Sequence, residues 1–278
     1  YMTQRNLINQ ERWAYNNKIG PYYGTVDESS VGAPALPYTQ SEIDNAVIQP
    51  SAFDAIIRQG YTHQQNFSVS GGSKNTSYFL SGNYFDQQGV LVGSGLKRYN
   101  TKLSLDHNLS EKVRIGASMI ISNIKTNNVN TGGLYENAGI VVSATYWPAD
   151  LPLRGSDGKS YPLNPAYQNT PNPASYETVT DFTNSSRSLT SAYVQWEIIK
   201  GLTGKGTLNY DQSQNKRNSY YPVTFLYGKN VDGAAAIDVA QANSLSSEWT
   251  LNYKRNFWDN ELKMDLLGGY SYQRSNWD

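Results

Sequence analysis

The sequence contains no cysteine, so neither a disulfide framework nor a thiolate metal site is open to it. It has no apolar run of about 18 residues or more, which excludes a transmembrane helix, and no basic-then-apolar signal segment at its start. Neither sign of charge is in excess: Lys plus Arg and Asp plus Glu number 23 each, which removes any bulk attraction for nucleic acid. Histidine is scarce, and His63 and His107 stand without sequence-adjacent metal partners, so both read as surface or lumen-facing side chains and no metal site is expected. No G-x-S-x-G elbow occurs among the many serines, so the chain does not read as an enzyme and no catalytic residue or cofactor is assigned. The missing transmembrane helix does not imply solubility, because a membrane β-strand needs only about ten alternating residues.

What is present is aromatic, small and polar. There are 22 Tyr and 6 Trp against a hydrophobic fraction of only 38%, and Asn, Ser, Thr and Gly recur throughout, a mixture that favours strands and turns over helices. The chain begins at Tyr1 without an initiator Met and stops at Asp278 just after a strand-like run, which reads as a segment of something longer.

Residues 1–60 differ from the rest. "YMTQRNLINQERWAYNNK" has a helix-compatible composition, and "SEIDNAVIQPSAFDAIIRQG" offers Ser41 as a cap before Ile43, Ala46 and Val47, then Pro50 and a short turn through Phe53, Ile56 and Ile57. The Gly-, Pro- and Ser-rich stretch between them should be irregular, so this region is expected to be loop with short helices.

From residue 61 the period becomes two. Phe67, Val69 and Gly71, then Tyr78, Leu80, Gly82 and Tyr84 after the "SKNT" turn, share an apolar face. Three further hairpins follow. Tyr99, Thr101, Leu103 and Leu105 lead through "NLSEKV" into Val113, Ile115, Ala117, Met119 and Ile121. Ala192, Val194, Trp196 and Ile198 lead through "KGL" into Leu202, Gly204, Gly206, Leu208 and Tyr210. Leu245, Trp249, Leu251 and Tyr253 pair across "NFWDNE" with Leu262, Met264, Leu266, Gly268 and Tyr270. Residues 61–278 therefore hold about eight antiparallel strands, with long loops at about 124–186 and 212–243. The first loop carries a helical stretch at "LYENAGIVVSATYW" and then "PADLPLRGSDGKSYPLNPAYQNTPNP", which is turn chemistry throughout.

Alternation alone does not separate a soluble sandwich, apolar face inward, from a membrane barrel, apolar face outward. Short turns at one end and long loops at the other are the habit of outer-membrane barrels. Tyr84, Tyr99, Tyr210 and Tyr270 fall at the strand ends feeding the long loops, where they would form an interface girdle. The opposite face carries Lys102, Asp106, Lys205, Asp211, Lys263 and Asp265 among Asn, Ser and Thr, which suits a hydrated lumen. Gly71, Gly82, Gly116, Gly204, Gly206 and Gly268, read as part of the apolar face, would make a poor hydrocarbon core but are tolerable against lipid. These features favour the membrane barrel and leave a soluble β-domain as the alternative.

The string "FSVSGGSKNTSYFLSGNYFDQQGVLVGSGLKRYNTKLSLDHNLSEKVRIGASM" resembles the early barrel of TonB-dependent outer-membrane transporters of the SusC/RagA-like, starch-utilisation type. "DAIIRQGYTHQQ" resembles the family's approach to that strand, with "SAFD" standing where a Trp-Asp pair is common, and the proline-rich loop and the "AYVQWEIIKGLTGKGTLNYD" hairpin are similar to later parts of it. The resemblance implies that these strands belong to a 22-stranded barrel occluded by an N-terminal plug that lies outside this sequence. It also implies multi-pass residence in the bacterial outer membrane, a SusD-like surface lipoprotein as partner, the TonB complex acting through the plug, and import of a glycan or peptide. A scaffold barrel without active transport is the alternative from another class.

Two weaker motifs are set aside. "GLTGKGT" at 201–207 has Ile199 where a phosphate loop requires Gly. "GKNVDG" at 228–233 begins with Gly228 and lacks the closing Glu of a calcium loop. Among the loop aromatics, Tyr146, Trp147, Tyr161, Tyr167, Tyr220 and Tyr221 are the candidate substrate-binding residues, able to stack on sugar rings or grip peptide, or else to pack the loops on themselves.

Overall fold

The computed structural model describes residues 1–47, 49–134, 138–257 and 262–278. They divide into two compact units. One is a loop unit of Tyr1–Ile57, Asn130–Tyr176 and Val223–Asn230; the other is a sheet unit of Arg58–Val129, Glu177–Pro222 and Val231–Asp278.

The sheet unit is a single antiparallel meander. Its strands are β1 (Thr62–Gly72), β2 (Thr76–Gln88), β3 (Gly95–Asn108), β4 (Val113–Asn127), β5 (Thr180–Ile199), β6 (Leu202–Tyr221), β7 (Ala234–Phe257) and β8 (Leu262–Trp277). Each pairs with its sequence neighbours, and β1 and β8 form the two edges of an open sheet. The expected turns join them at one end. Ser73 Oγ accepts from the N–H groups of Asn75 and Thr76, and Ser110 Oγ from those of Lys112 and Val113, so a serine in each turn replaces the missing ladder partner. The expected "NFWDNE" turn has residues 258–261 outside the described part.

At the β5–β6 turn, Gly201 has φ +85°, and a Cβ there would lie 2.3 Å from the Lys254 carbonyl oxygen. Gly201→Ala is expected to cost on the order of 1–3 kcal/mol through left-handed backbone strain and that clash, measured as a lowered denaturation midpoint of the inserted barrel.

Register confirms the two faces residue by residue. Val69, Leu80, Leu103 and Met119 are successive partners, as are Val194, Gly206, Trp249 and Tyr270. Gly116 is a correction: it pairs with Asp106 and Tyr193 and so lies on the polar face.

Three strands are longer than their alternation suggests. β5 starts at Thr180, β6 runs to Tyr221 and β7 starts at Ala234, so the second loop shrinks to 222–233 and the first to 128–179. The extra residues, such as Gln212 to Asn218, are polar on both faces, so hydrophobic period two vanishes although the backbone ladder continues. The β2–β3 connection at that end is only Gly89 to Ser94, held by Arg58, which donates to the Gly89 and Ser94 carbonyls at 3.0 and 2.8 Å.

The loop unit holds α1 (Met2–Asn17), α2 (Gln40–Asp44), α3 (Ala52–Ile56), α4 (Ile140–Thr145) and α5 (Leu226–Asn230). α1, at 16 residues, is longer than the short helices expected. Thr39, not Ser41, caps α2: its hydroxyl accepts from Glu42 N–H while Glu42 reaches back to Thr39 N–H, a capping box. Within the helical stretch read at 134–147, residues 135–137 lie outside the described part, and α4 occupies Ile140–Thr145. Ile56 of α3, Ile140 and Ala144 of α4, Phe225 and Leu226 make the unit's core, with Tyr176 edge-on to Phe225 at 4.9 Å between ring centres.

Candidate functional site

The apolar face of the sheet is uncovered. Phe67, Leu103, Trp196, Leu208, Trp249 and Leu251 are all exposed, and every buried hydrophobic residue among those described belongs to the loop unit. A contiguous apolar surface of this extent requires a cover, and no second layer of the sheet unit supplies one. Hydrocarbon is the cover that matches side chains standing singly on a pleated face.

The four tyrosines expected at strand ends lie within their strands: β6 continues from Tyr210 to Tyr221 and β8 from Tyr270 to Trp277, because polar residues on both faces hide the rest of each ladder from the hydrophobic period. Tyr84 and Tyr99 are direct partners with rings 5.1 Å apart. The row through them reaches Gln214 on β6 and Gln241 on β7, and Gln241 is hydrogen-bonded to Asp278 just past β8. Tyr210 on β6 and Tyr270 on β8 therefore sit progressively nearer the short-turn end. At about 3.4 Å per residue and 4.8 Å per strand, a tilt of roughly 45°, the inclination of membrane barrel strands, is what would bring these positions to one level.

The other face is polar and carries several ion pairs. Arg114 donates to Asp106 at 3.1 Å, and Tyr193 also donates to that carboxylate. Arg187 grips Asp211 through two nitrogens at 2.9 and 2.5 Å, and Arg217 grips Asp181 likewise at 3.0 and 2.6 Å with Asn128 as a third donor. Lys254 meets Asp265 at 3.0 Å. Between them runs a row of small polar side chains: Ser104, Ser118, Ser191 and Asn209 are consecutive partners. Of the remaining lumen-side residues, Lys205 lies over the Tyr193 ring at 4.7 Å, Lys102 approaches Phe79 at 5.9 Å, and Lys263 pairs in register with Asn256. On the opposite, apolar face, and not toward a lumen, His107 Nδ1 lies 2.7 Å from Thr76 Oγ1 and His63 sits edge-on to Tyr84.

The candidate loop aromatics separate by environment. Tyr146 and Tyr167 form an exposed ring pair, 5.0 Å between centres. Asn164 assembles them: its amide donates to the Tyr146 carbonyl at 2.8 Å, and its own carbonyl accepts from Tyr167 N–H. Trp147 is only 9% exposed, and its indole N–H donates to the Leu151 carbonyl, so its ring belongs to the unit's interior. Tyr161 is half-buried under the Arg154 guanidinium. Tyr220 and Tyr221 end β6 in the sheet unit. Asn164 and Asn172 are missing from the sequence reading, yet both stand before a proline, a turn-initiating signal. In the segment read as a calcium-like loop, α5 ends at Asn230 and the chain turns through Asp232 and Gly233, both at positive φ. Gly204, Lys205 and Gly206 of the phosphate-loop-like stretch lie within β6.

In the same loop, the Asp157 carboxylate accepts from the Ser160 and Lys159 backbone N–H groups at 2.8 and 2.9 Å. These bonds hold its pKa below the ordinary aspartate value. A depressed folded-state pKa adds stability that is complete above the unfolded value and is lost as pH falls through the folded one. Hydrogen exchange at Lys159 and Ser160 is therefore expected to accelerate on acidification below the ordinary aspartate range, and Asp157→Asn should abolish that acid-dependent step.

An antiparallel wall with one uncovered apolar face and one polar face belongs to the class of outer-membrane-type β-barrels. No family model matches the sequence. It is 30% identical over 248 residues to TonB-dependent receptor P3 of Formosa agariphila, covering 85% of this chain and 24% of that protein. To TonB-dependent receptor P26 of the same organism it is 27% identical over 275 residues, covering 96% of this chain and 26% of the relative. Its fold superposes on the RagAB peptide transporter with TM-score 0.65 at 19% identity, over 99% of this chain and 30% of that one. The open-open state of the RagAB peptide importer gives 0.52 at 18% identity, over 83% and 31%. The chain spans about a quarter of the length of the curated relatives it matches. It is a portion of a TonB-dependent receptor barrel.

Proposed function

We propose that this chain is part of the barrel wall of an importer that takes an oligomeric nutrient across the bacterial outer membrane, driven through the TonB complex. The observation that carries the reading is the two-faced sheet: an uncovered apolar face, backed by a polar face of serines, amides and ion pairs suited to a water-filled passage. The open edges at β1 and β8 need further strands, since unpaired backbone is untenable in hydrocarbon. A SusD-like lipoprotein is the partner proposed for the extracellular side, and the resemblance to RagAB makes peptide the first class to test against glycan. The protein acts by selection and gating, without covalent chemistry.

The exposed Tyr146–Tyr167 pair is the proposed contact for substrate, each ring offering a face to a sugar or an apolar peptide side chain. Uptake of labelled oligopeptides and oligosaccharides by cells with and without the receptor gene tests the importer reading. Loss of uptake of one class on deletion supports it, whereas unchanged uptake of both, with the barrel still in the membrane, favours a scaffold. Tyr146→Ala with Tyr167→Ala is expected to weaken binding of the transported class by roughly 1–3 kcal/mol, read by titration.

A further inference from the structure

We infer that the polar face of β2 to β4, near its long-loop end, is a contact site for a carboxylate-bearing oligopeptide. The inference rests on the importer reading above and names the substrate class that this part of the wall would take.

Arg98, Asn100 and Lys102 stand at alternate positions of β3 on that face, just inside the strand's start at Gly95. Arg98 lies over the ring of its register partner Phe85 at 5.1 Å. Lys102 leans the other way, toward Phe79, which pairs with Ser104, at 5.9 Å from the ring centre. The two charged heads are thus held apart. Between them runs a row of amides and a hydroxyl, with Asn66, Asn83, Asn100 and Ser122 as successive partners. Asn83 donates to Asn66 at 2.6 Å, and Asn100 donates to Ser122 at 2.7 Å while accepting from Arg98 Nε at 3.3 Å.

Charge on this face is unevenly shared. Among the described residues on the polar face of β1 to β4, Asp106 is the one carboxylate, and Arg114 and Tyr193 both donate to it. The acids stand on the other half of the wall: Asp181, Glu197, Asp211, Asp238, Glu248 and Asp265 share the polar face of β5 to β8, where Arg187, Arg217 and Lys254 are each met by an aspartate. Arg98 and Lys102 have no carboxylate partner among the described residues. A ring face attracts a cation without neutralising it, so the complement these two residues lack is an anion, and the arginine fork matches a carboxylate.

The neighbouring side chains favour peptide over acidic sugar. Ile124 is the partner of Arg98, Ile120 is the partner of Lys102, and Leu189 continues the second row on β5. A groove of about 650 Å³ beside them is lined by Ile120, Ile124, Leu189 and Trp277 together with the Arg187–Asp211 pair, a size within the range of ligand sites. Aliphatic groups on a polar wall let an apolar peptide side chain leave water, and they offer a hydroxyl-rich sugar nothing in exchange. Along β3, at about 3.4 Å per residue, Arg98 and Lys102 are roughly 14 Å apart, so two carboxylates of one extended peptide can engage both.

The test uses the full-length receptor containing this chain, in detergent, with a fluorescently labelled oligopeptide of Leu and Glu, its Leu and Gln counterpart, and oligogalacturonate as the acidic sugar. Wild type is expected to bind the Glu peptide at least about tenfold more tightly than the Gln peptide, since a hydrogen bond to a charged group exceeds that equivalent. Arg98→Gln with Lys102→Gln should abolish the difference, whereas Arg98→Lys with Lys102→Arg should keep most of it. Lys125→Gln, on the opposite face, should leave it unchanged, with heat-dependent gel mobility showing that each variant is folded. Equal binding of the two peptides by wild type, tighter binding of oligogalacturonate than of the Glu peptide, or an undiminished preference in the double variant overturns the inference. A double variant that keeps the preference but admits large antibiotics into cells also overturns it, by assigning the two cations to the plug. Unchanged uptake of every oligopeptide and oligosaccharide on deletion of the receptor gene would instead overturn the importer reading beneath it.

Discussion

Leu103→Arg is expected to destabilise the inserted barrel by roughly 2–4 kcal/mol, the cost of an arginine on the lipid face near mid-depth. Leu103 sits between Leu80 and Met119 in register, on β3 between the Tyr99 level and the short turn, and is 48% exposed with nothing of this sheet above it. Its neighbour Ser104 points to the opposite face, where partners Phe79 and Ser118 flank a wet surface. Ser104→Arg should therefore cost well under about 1 kcal/mol, because a surface charge in water pays no such desolvation. The pair of variants differs by one position in sequence and by the solvent it meets. Denaturant titration of the full-length receptor in lipid vesicles reads both, with heat-dependent gel mobility as the check on folding. Equal losses for the two would refute the assignment of faces, and a larger loss for Ser104→Arg would reverse it.

Asn172→Ala should release the long loop while leaving the sheet folded. Asn172 is 2% exposed, and its amide donates to the carbonyls of Leu153 and Pro162 at 2.9 and 3.0 Å while its oxygen accepts from Ala174 N–H at 2.9 Å. One side chain thus ties together three separate stretches of proline-rich chain that have little regular hydrogen bonding of their own. Truncation leaves two carbonyls and one N–H buried without partners, at about 1–3 kcal/mol each, so a total near 3–5 kcal/mol is expected after partial relaxation. Limited proteolysis of intact cells should then cut within 150–176 at least tenfold faster, by the conversion of even about 1.4 kcal/mol. Heat-dependent mobility of the barrel should not change. A protease pattern identical to wild type would mean that the core around Ile56 and Ile140 holds the loop unaided.

The same residues explain what could be read from sequence. Alternation at Tyr78, Leu80 and Tyr84 or at Val194 and Trp196 is legible because one solvent is apolar and the other is water, and each step along a strand swaps between them. Where both faces meet water, as at Gln212 to Asn218, that contrast disappears and the strand is invisible to periodicity although its ladder is intact. Thr39 escaped notice as a cap because Ser41, two residues on, fits the same pattern, and only the geometry of Glu42 decides between them.

Composition and alternation by themselves determined the class: an antiparallel sheet, cysteine-free and without net charge, with two unlike faces. They also carried the resemblance to the receptor family. Only the tertiary structure decided that the apolar face goes uncovered within the sheet unit, since burial is a property of what lies above a residue and not of the residue. It alone placed Tyr84, Tyr99, Tyr210 and Tyr270 on one inclined line, because strand register fixes relative height and no single strand encodes it. It alone joined Asp181 to Arg217, Asp211 to Arg187 and Asn164 to Tyr146, pairs set by the ladder and the loop core across distances in sequence that no local pattern spans.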